Sequence, residues 1–467
     1  MEYFAILSVA TVMIAVLTCA LYWRARDPGL IVGIAALYYW SLYGAWFIVI
    51  DKTGGFSGKN YHYLEQKLFP IALDTNYLVA LGLYAGFIIL IQITLLAFVR
   101  RFNPHASGRL KLRHGPILAL GFLAAAGSIW AMWDSLDTAF LRNLSAYHFT
   151  RTEPGRWFTL HQVLNRLALI PPAIGLAALI AGRNSRFFAS VRRRYTLVAY
   201  LVLFGLMSGF TFVLGNKNEI LAALVAGVLA YLDLSARPRI VRVMVLVATG
   251  LWFLYAIDYS RGVPVAKLPA FLGEHWGDTT GVANFVTSSN EAYGAHFSMY
   301  GVLETATEPR FGSSLYSLAC SVVPRILWPE RPRDIYLYYS ESVAAIQDQG
   351  YSIHHATGWY LNFGYAGVAL GAIVMGLVWA YCIDARRRIR RSSGRLFRIF
   401  AIVAPWVFVA NLPSLVRSGP EGYKGLAVDG FLLPMVALML SCHELQAGPA
   451  RKAQNHDETS APLAALT

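Results

Sequence analysis

"YLVALGLYAGFIILIQITLLAFVRR", residues 77–101, runs twenty-three positions without a charge and then ends on Arg100 and Arg101. About 20 apolar residues in helical form cross a hydrocarbon core, whereas a soluble surface helix would need a polar face. The stretch therefore predicts a membrane span with a cationic end. Similar runs of 16 to 27 residues recur at 4–22, 29–50, 116–133, 158–182, 196–214, 220–235, 240–258, 357–383, 399–416 and 425–442, which makes eleven spans. Composition agrees: 56% of the 467 residues are hydrophobic and 14% charged, against about 25% charged in soluble domains. The expected fold class is an all-α polytopic membrane protein of about eleven transmembrane helices.

Lys and Arg concentrate in five clusters: Arg24/Arg26, Arg100–Arg113, Arg183–Arg194, Arg237–Arg242 and Arg386–Arg398. Cationic loops are retained in the cytoplasm, so all five are expected inside and the N-terminus outside, a parity that eleven spans satisfy. The net charge of +14 is then a topological signal and not a nucleic-acid footprint. The lipid bilayer, with its anionic headgroups, is the expected neighbour of those loops. The start "MEYFAILSV" lacks the basic residues of a cleavable leader, so the first helix is expected to stay. Cys19, Cys382 and Cys442 fall in or at the ends of spans, leaving Cys320 in an outside loop with no disulfide or zinc spacing. The chain thus divides into 1–260 (eight helices), 261–356 (one large outside loop), 357–442 (three helices) and 443–467, a polar cytoplasmic tail expected to be disordered.

Within the outside loop, Trp276, Tyr293, Tyr300, Trp328, Tyr336 and Tyr339 supply enough aromatic surface to pack. The segment 311–328, "FGSSLYSLACSVVPRILW", is apolar but cut by Pro324–Arg325, which predicts an interfacial or re-entrant helix rather than a crossing. Arg325, Arg331 and Arg333 follow on a backbone stiffened by Pro324, Pro329 and Pro332. Guanidinium groups are planar, permanently charged donors suited to phosphate oxygens, and a stiff backbone lowers the entropy cost of committing them. A phosphate at headgroup depth is a lipid-linked phosphate. Pairing with Glu330 and Asp334 would explain the same arginines structurally.

At these residues the sequence resembles the Wzy-type O-antigen polymerases, the oligosaccharide repeat-unit polymerases. "VPRILWPERP" (323–332) is similar to that family's Pro-Arg-x-x-Trp-Pro-x-x-Pro segment, and "YLNFGYAGVALGAIVMG" (360–376) to its aromatic-x-Asn-Phe-Gly-x-x-Gly opening of a late helix. "GNKNEILAAL" (215–224) is a weaker match. Elsewhere the likeness is in hydropathy and helix number alone. The resemblance implies a C-type glycosyltransferase of the bacterial cytoplasmic (inner) membrane that needs no metal or other cofactor. It would move a growing glycan from undecaprenyl diphosphate onto the next lipid-linked repeat unit on the periplasmic side. Its partners would be undecaprenyl-diphosphate-linked oligosaccharides, a flippase and a chain-length regulator. One departure matters: Gly358 stands where relatives are expected to carry a glutamate, so a carboxylate role there does not carry over.

Such a transfer needs a leaving diphosphate stabilised and an acceptor proton removed. Candidates for the diphosphate are Arg325 first, then Lys217 and Arg417, with Arg331, Arg333 and Arg261. Arg166 lies inside the fifth span, where an unpaired charge is costly, and Asp429 in the last span is its expected partner. Lys217 could equally pair with Glu219. The proton candidates are His354 and His355, Glu341 and Asp334. No Asp-x-Asp occurs outside, "DSLD" (134–137) being nearest, so arginine in place of a metal is the simpler reading. A transporter or flippase of lipid-linked oligosaccharide, and a glycan ligase, remain alternatives. Transport is disfavoured by the absence of duplicated halves.

Overall fold

The computed structural model describes residues 2–54, 70–100, 108–152, 157–181, 191–235, 238–275, 291–321, 323, 328, 330–332, 334, 335–343, 352–388 and 393–447. In chain order these form α1 (Glu2–Ala25), α2 (Pro28–Lys52), α3 (Thr75–Phe98), β1 (Gly108–Leu112), α4 (His114–Leu141), α5 (Ala146–Thr152), α6 (Phe158–Ala181), α7 (Val191–Val213), α8 (Asn218–Leu234) and α9 (Ile240–Ser260). They continue with α10 (Leu268–His275), α11 (Glu291–Glu304), α12 (Ser313–Cys320), α13 (Ile335–Val343), α14 (His355–Asp384), α15 (Arg395–Val416), α16 (Gly422–Ser441) and β2 (Cys442–Ala447).

Among the described residues ten helices are long and apolar enough to cross a membrane, so the protein is a multi-pass helical membrane protein. The eleventh expected span, α8, has 17 residues, about 26 Å of helical rise against about 30 Å of hydrocarbon. It is enclosed instead of lipid-facing, its Ala222, Ala223, Ala226 and Ala230 being buried. Small residues allow close approach: a Cβ on Gly227 would lie 3.4 Å from Ala173 Cβ of α6. The outward faces carry the opposite pattern, with Val12, Val16, Leu123, Leu201, Val241 and Met244 exposed, as a lipid-facing surface requires.

The arginine clusters converge at one end of the bundle. There Arg24 Nε donates to the Val99 carbonyl at 2.6 Å, Arg395 Nη2 to the Met439 carbonyl at 2.8 Å, and Arg100 lies 3.9 Å from the Asp384 carboxylate. At the same end β1 and β2 pair antiparallel with Lys111 opposite Glu444. The fold is all-α apart from this short ribbon, in which residues 443–447 pair with β1 beside the end of α16. Residues 448–467 lie outside the described residues.

The large loop also differs from expectation. Residues 292–302 of α11 are buried throughout, and its His296 Nδ1–H donates to the Ser41 carbonyl at 2.6 Å while Nε2 accepts from Tyr77 Oη at 2.9 Å. Tyr84, nine residues into α3 and so about 14 Å from its start, donates to the His296 carbonyl at 2.9 Å. The loop therefore dips into the bundle at 291–304, and this buried polar chain explains why a segment carrying His296 can sit there. Among the described residues of 311–328 the helix is the eight residues of α12, about 12 Å long. It turns Ser314 and Ser317 inward and Leu315 and Tyr316 outward, the arrangement of an element at a lipid boundary.

α14 is broken at Phe363 (φ −143°, ψ 22°) and Gly364 (φ 62°, ψ −145°), backbone that only glycine adopts without strain at the second position. The segment 355–362 folds back on 365–384, so that a Cβ on Gly367 would meet the Trp359 carbonyl oxygen at 2.1 Å and one on Gly371 the Trp359 ring at 2.4 Å. Asn362 ties the break to α12: its Nδ2 donates to Ser314 Oγ at 2.6 Å and to the Gly358 carbonyl at 2.7 Å, and its Oδ1 accepts from the Ser314 amide at 3.1 Å. The "YLNFGYAG" stretch is thus a hinge with its packing glycines.

Candidate functional site

Opposite the arginine clusters the bundle encloses a cavity of about 530 Å³. Three parts of the chain build it. α6 presents Gln162 and Arg166 one turn apart; the end of α15, the following turn and the first half of α16 present Ser414, Arg417, Glu421 and Asp429; Asp334, Tyr336 and Ile353 close it from the loop. The α15–α16 turn, "RSGPEGYKG" (417–425), is shaped by close approaches. A Cβ on Gly419 would meet Ile335 Cγ2 at 2.6 Å, and one on Gly358 would meet Gly419 Cα at 2.6 Å.

Arg166 meets the partner expected from the sequence: its Nη1 lies 3.0 Å from Asp429 Oδ2, and its Nε 3.7 Å from Glu219 Oε1. Asp429 lies in a π-helical stretch, Leu426–Leu432, the kind of irregularity that re-aims a side chain into a site. The pair is half-buried, so removing one member leaves a partly desolvated charge without its partner and costs less than the about 3–5 kcal/mol of a fully buried pair. Arg166→Ala is therefore expected to lower the melting temperature of the purified protein clearly, and Asp429→Asn in the same chain to recover part of the loss.

Arg417 Nη1 donates to Asn218 Oδ1 at 3.3 Å, and its guanidinium sits 5.5 Å from the centre of the Trp40 ring. Lys217 and Arg261 stand apart from the cavity and share one carboxylate, with Asp258 Oδ1 at 2.8 Å from Lys217 Nζ and 2.9 Å from Arg261 Nη1. Lys217 thus finds Asp258 and not Glu219. Arg261 Nε also donates to the Gly215 carbonyl at 2.9 Å, so this cluster fastens the turn between α7 and α8. Arg331 holds the loop backbone, its Nη1 donating to the carbonyls of Val323 at 3.2 Å and Ser321 at 3.4 Å. Arg325 and Arg333 lie outside the described residues.

The proton candidates are redistributed. His354 caps α14: its Nδ1 accepts from the Ala356 amide at 3.1 Å, which leaves the proton on Nε2 to donate to Ser41 Oγ at 2.9 Å. His355 Nδ1–H donates to the Ser418 carbonyl at 2.8 Å, and its Nε2 accepts from the Trp359 indole at 3.0 Å. Both rings are fully buried with both nitrogens engaged. With these partners the two histidines position the re-entrant start of α14. Glu341 is exposed on α13 and does not line the cavity. Asp334 does, accepting from Ser317 Oγ at 3.3 Å.

Glu421 is the residue the sequence reading missed. Its Oε1 accepts from the Ile335 amide at 3.1 Å. Burial first, and then the neighbouring Asp334 charge, push its carboxyl up to about 7, against the lowering effect of that amide bond. The signal available beforehand was an acid beside Arg417 in a short Gly-Pro turn. A raised carboxyl costs stability only where it must ionise, so the penalty is absent below the unfolded value of 4.5, grows as pH rises, and is complete above about 7. Glu421→Gln is expected to gain melting temperature relative to the native protein between pH 5 and pH 8.

Among the described residues no three His, Cys, Asp or Glu side chains are grouped to hold a metal ion. No protein-family model matches the chain, and no curated protein or solved structure is detectably similar to it. The class that fold and site define is a polytopic helical membrane protein with a recessed, charged cavity at the end opposite its arginine clusters.

Proposed function

We propose that the protein polymerises undecaprenyl-diphosphate-linked oligosaccharide repeat units into O-antigen, capsule or exopolysaccharide, at the periplasmic face of the bacterial cytoplasmic membrane. In this reading the chain crosses eleven times with α8 as the short seventh span. The arginine-rich end is cytoplasmic by the positive-inside rule, and 261–354 together with the cavity faces the periplasm. The observation that carries the proposal is the cavity itself, because Arg166 and Arg417, two of the cations singled out for a diphosphate, line it together with carboxylates from other elements.

The chemistry follows from that arrangement. Arg417, held by a neutral amide and an indole face, donates to the diphosphate as its negative charge grows, while Arg166, already shared between Asp429 and Glu219, contributes less net charge and more positioning. On sequence grounds Arg325, Arg331 and Arg333 would contribute further contacts to the diphosphate of the lipid-linked substrate. Lys217 and Arg261, apart from the cavity, fasten the turn between α7 and α8 through Asp258. The hinge at Phe363–Gly364, tied to α12 through Asn362, sets the wall that carries Gly358 against Gly419.

The glycan profile of cells lacking the protein tests the reading. A lost polymer ladder with a retained single-repeat product is expected; loss of all surface glycan would point to flipping or ligation instead.

A further inference from the structure

We infer that Glu421 is the general base of this transfer, its carboxylate accepting the proton of the acceptor sugar hydroxyl; the inference rests on the polymerase reading. Three geometric facts converge on it. Glu421 lines the cavity that also holds Arg166 and Arg417. Its Oε1 accepts from the Ile335 amide at 3.1 Å, which orients the carboxylate, and its Oε2 lies beside Gly419 of the same turn. The turn that carries it is locked from behind, since Gly419 meets Gly358 backbone to backbone with no space for a side chain on either. The histidines cannot serve, both being spent on Ser41, Ala356, Ser418 and Trp359.

Around Glu421 the charged and titratable groups are Asp334 and Tyr336 from the loop, Arg166 from α6, Arg417 from α15, and Asp429 and Lys424 from α16. Lys424 is turned away, its Nζ donating to the Ser321 carbonyl at 2.7 Å. Asp334 is the near like charge. Burial, with a smaller contribution from Asp334, keeps the Glu421 carboxyl high enough to take a proton near neutral pH and still ionise to begin a cycle.

The step balances as follows. The acceptor hydroxyl oxygen bonds to the anomeric carbon of the growing glycan as that carbon's bond to the diphosphate oxygen breaks. The electron pair leaves on undecaprenyl diphosphate, facing Arg417. The hydroxyl proton passes to Glu421, which releases it to water before the next cycle.

The test uses the full-length protein in lipid nanodiscs with the lipid-linked repeat unit extracted from cells that lack it. Turnover of the native protein is expected to rise with pH and level off above about pH 7. Glu421→Gln should cut turnover about 10²- to 10⁴-fold and abolish that rise. Binding of undecaprenyl diphosphate should stay unchanged or tighten, because a negative charge has left the site. Glu421→Asp should restore part of the rate and the pH limb. A native protein that elongates, beside a Glu421→Gln variant that elongates with the same pH limb, would overturn the base assignment alone. Weakened diphosphate binding in Glu421→Gln, with no rescue by aspartate, would also overturn it in favour of a structural role. A native protein that does not elongate at all would overturn the polymerase reading and this inference together.

Discussion

Arg417→Ala is expected to abolish polymer while leaving the single-repeat product and normal protein level. The guanidinium stands at the cavity where α15 ends, bonded to Asn218 Oδ1 at 3.3 Å and set over Trp40. Membrane abundance of the variant separates a loss of fold from a loss of transfer. The loss falls on the transfer step. Removing one preorganised donor to a developing negative charge costs about 10²- to 10³-fold in rate. Arg417→Lys should recover little, because an ammonium does not reproduce the planar two-donor fork. Glycan ladders and membrane abundance of the two variants check this. A full ladder from Arg417→Ala would remove the residue from the mechanism.

The second large effect is structural. Gly358→Glu restores the residue expected at this position from the family resemblance, yet it should prevent folding. The new Cβ would stand 2.6 Å from Gly419 Cα and 3.1 Å from Pro420 Cδ. Both are backbone or ring atoms that cannot rotate aside. Overpacking costs about 1–3 kcal/mol even where neighbours yield, and here the displaced segment also carries the Ser418 carbonyl that holds His355. Loss of the monodisperse protein on size exclusion is the expected result. Well-folded Gly358→Glu would mean that the α15–α16 turn is not packed against α14 as described.

The spans were legible because the bilayer demands uninterrupted apolar runs that end in charge, and residues 77–101 meet that demand without help from tertiary context. The Arg166–Asp429 pair was legible for the same reason, since charges inside spans must find each other. Elements whose burial depends on partners were not legible. α11 reads as a polar outside segment, and only the hydrogen bonds of His296 to Ser41 and Tyr77 make its burial tolerable. His354 and His355 have the composition of a base but the geometry of a cap and a tie. Glu421 drew no reading from the sequence; its burial goes with the close approach of Gly358 and Gly419, residues sixty-one positions apart. The short α8, expected over 220–235, runs over Asn218–Leu234 because Lys217 before it and the polar "SARPR" after it bound the apolar run.

One measurement tests the central claim most directly: incubation of the purified protein in nanodiscs with undecaprenyl-diphosphate-linked repeat units as its only substrate. The account predicts glycans of several repeats on the lipid, with one undecaprenyl diphosphate released per linkage formed and Arg417→Ala inactive beside a working native protein. Repeat units left single by the native protein, or polymer formed equally well by Arg417→Ala, would contradict it.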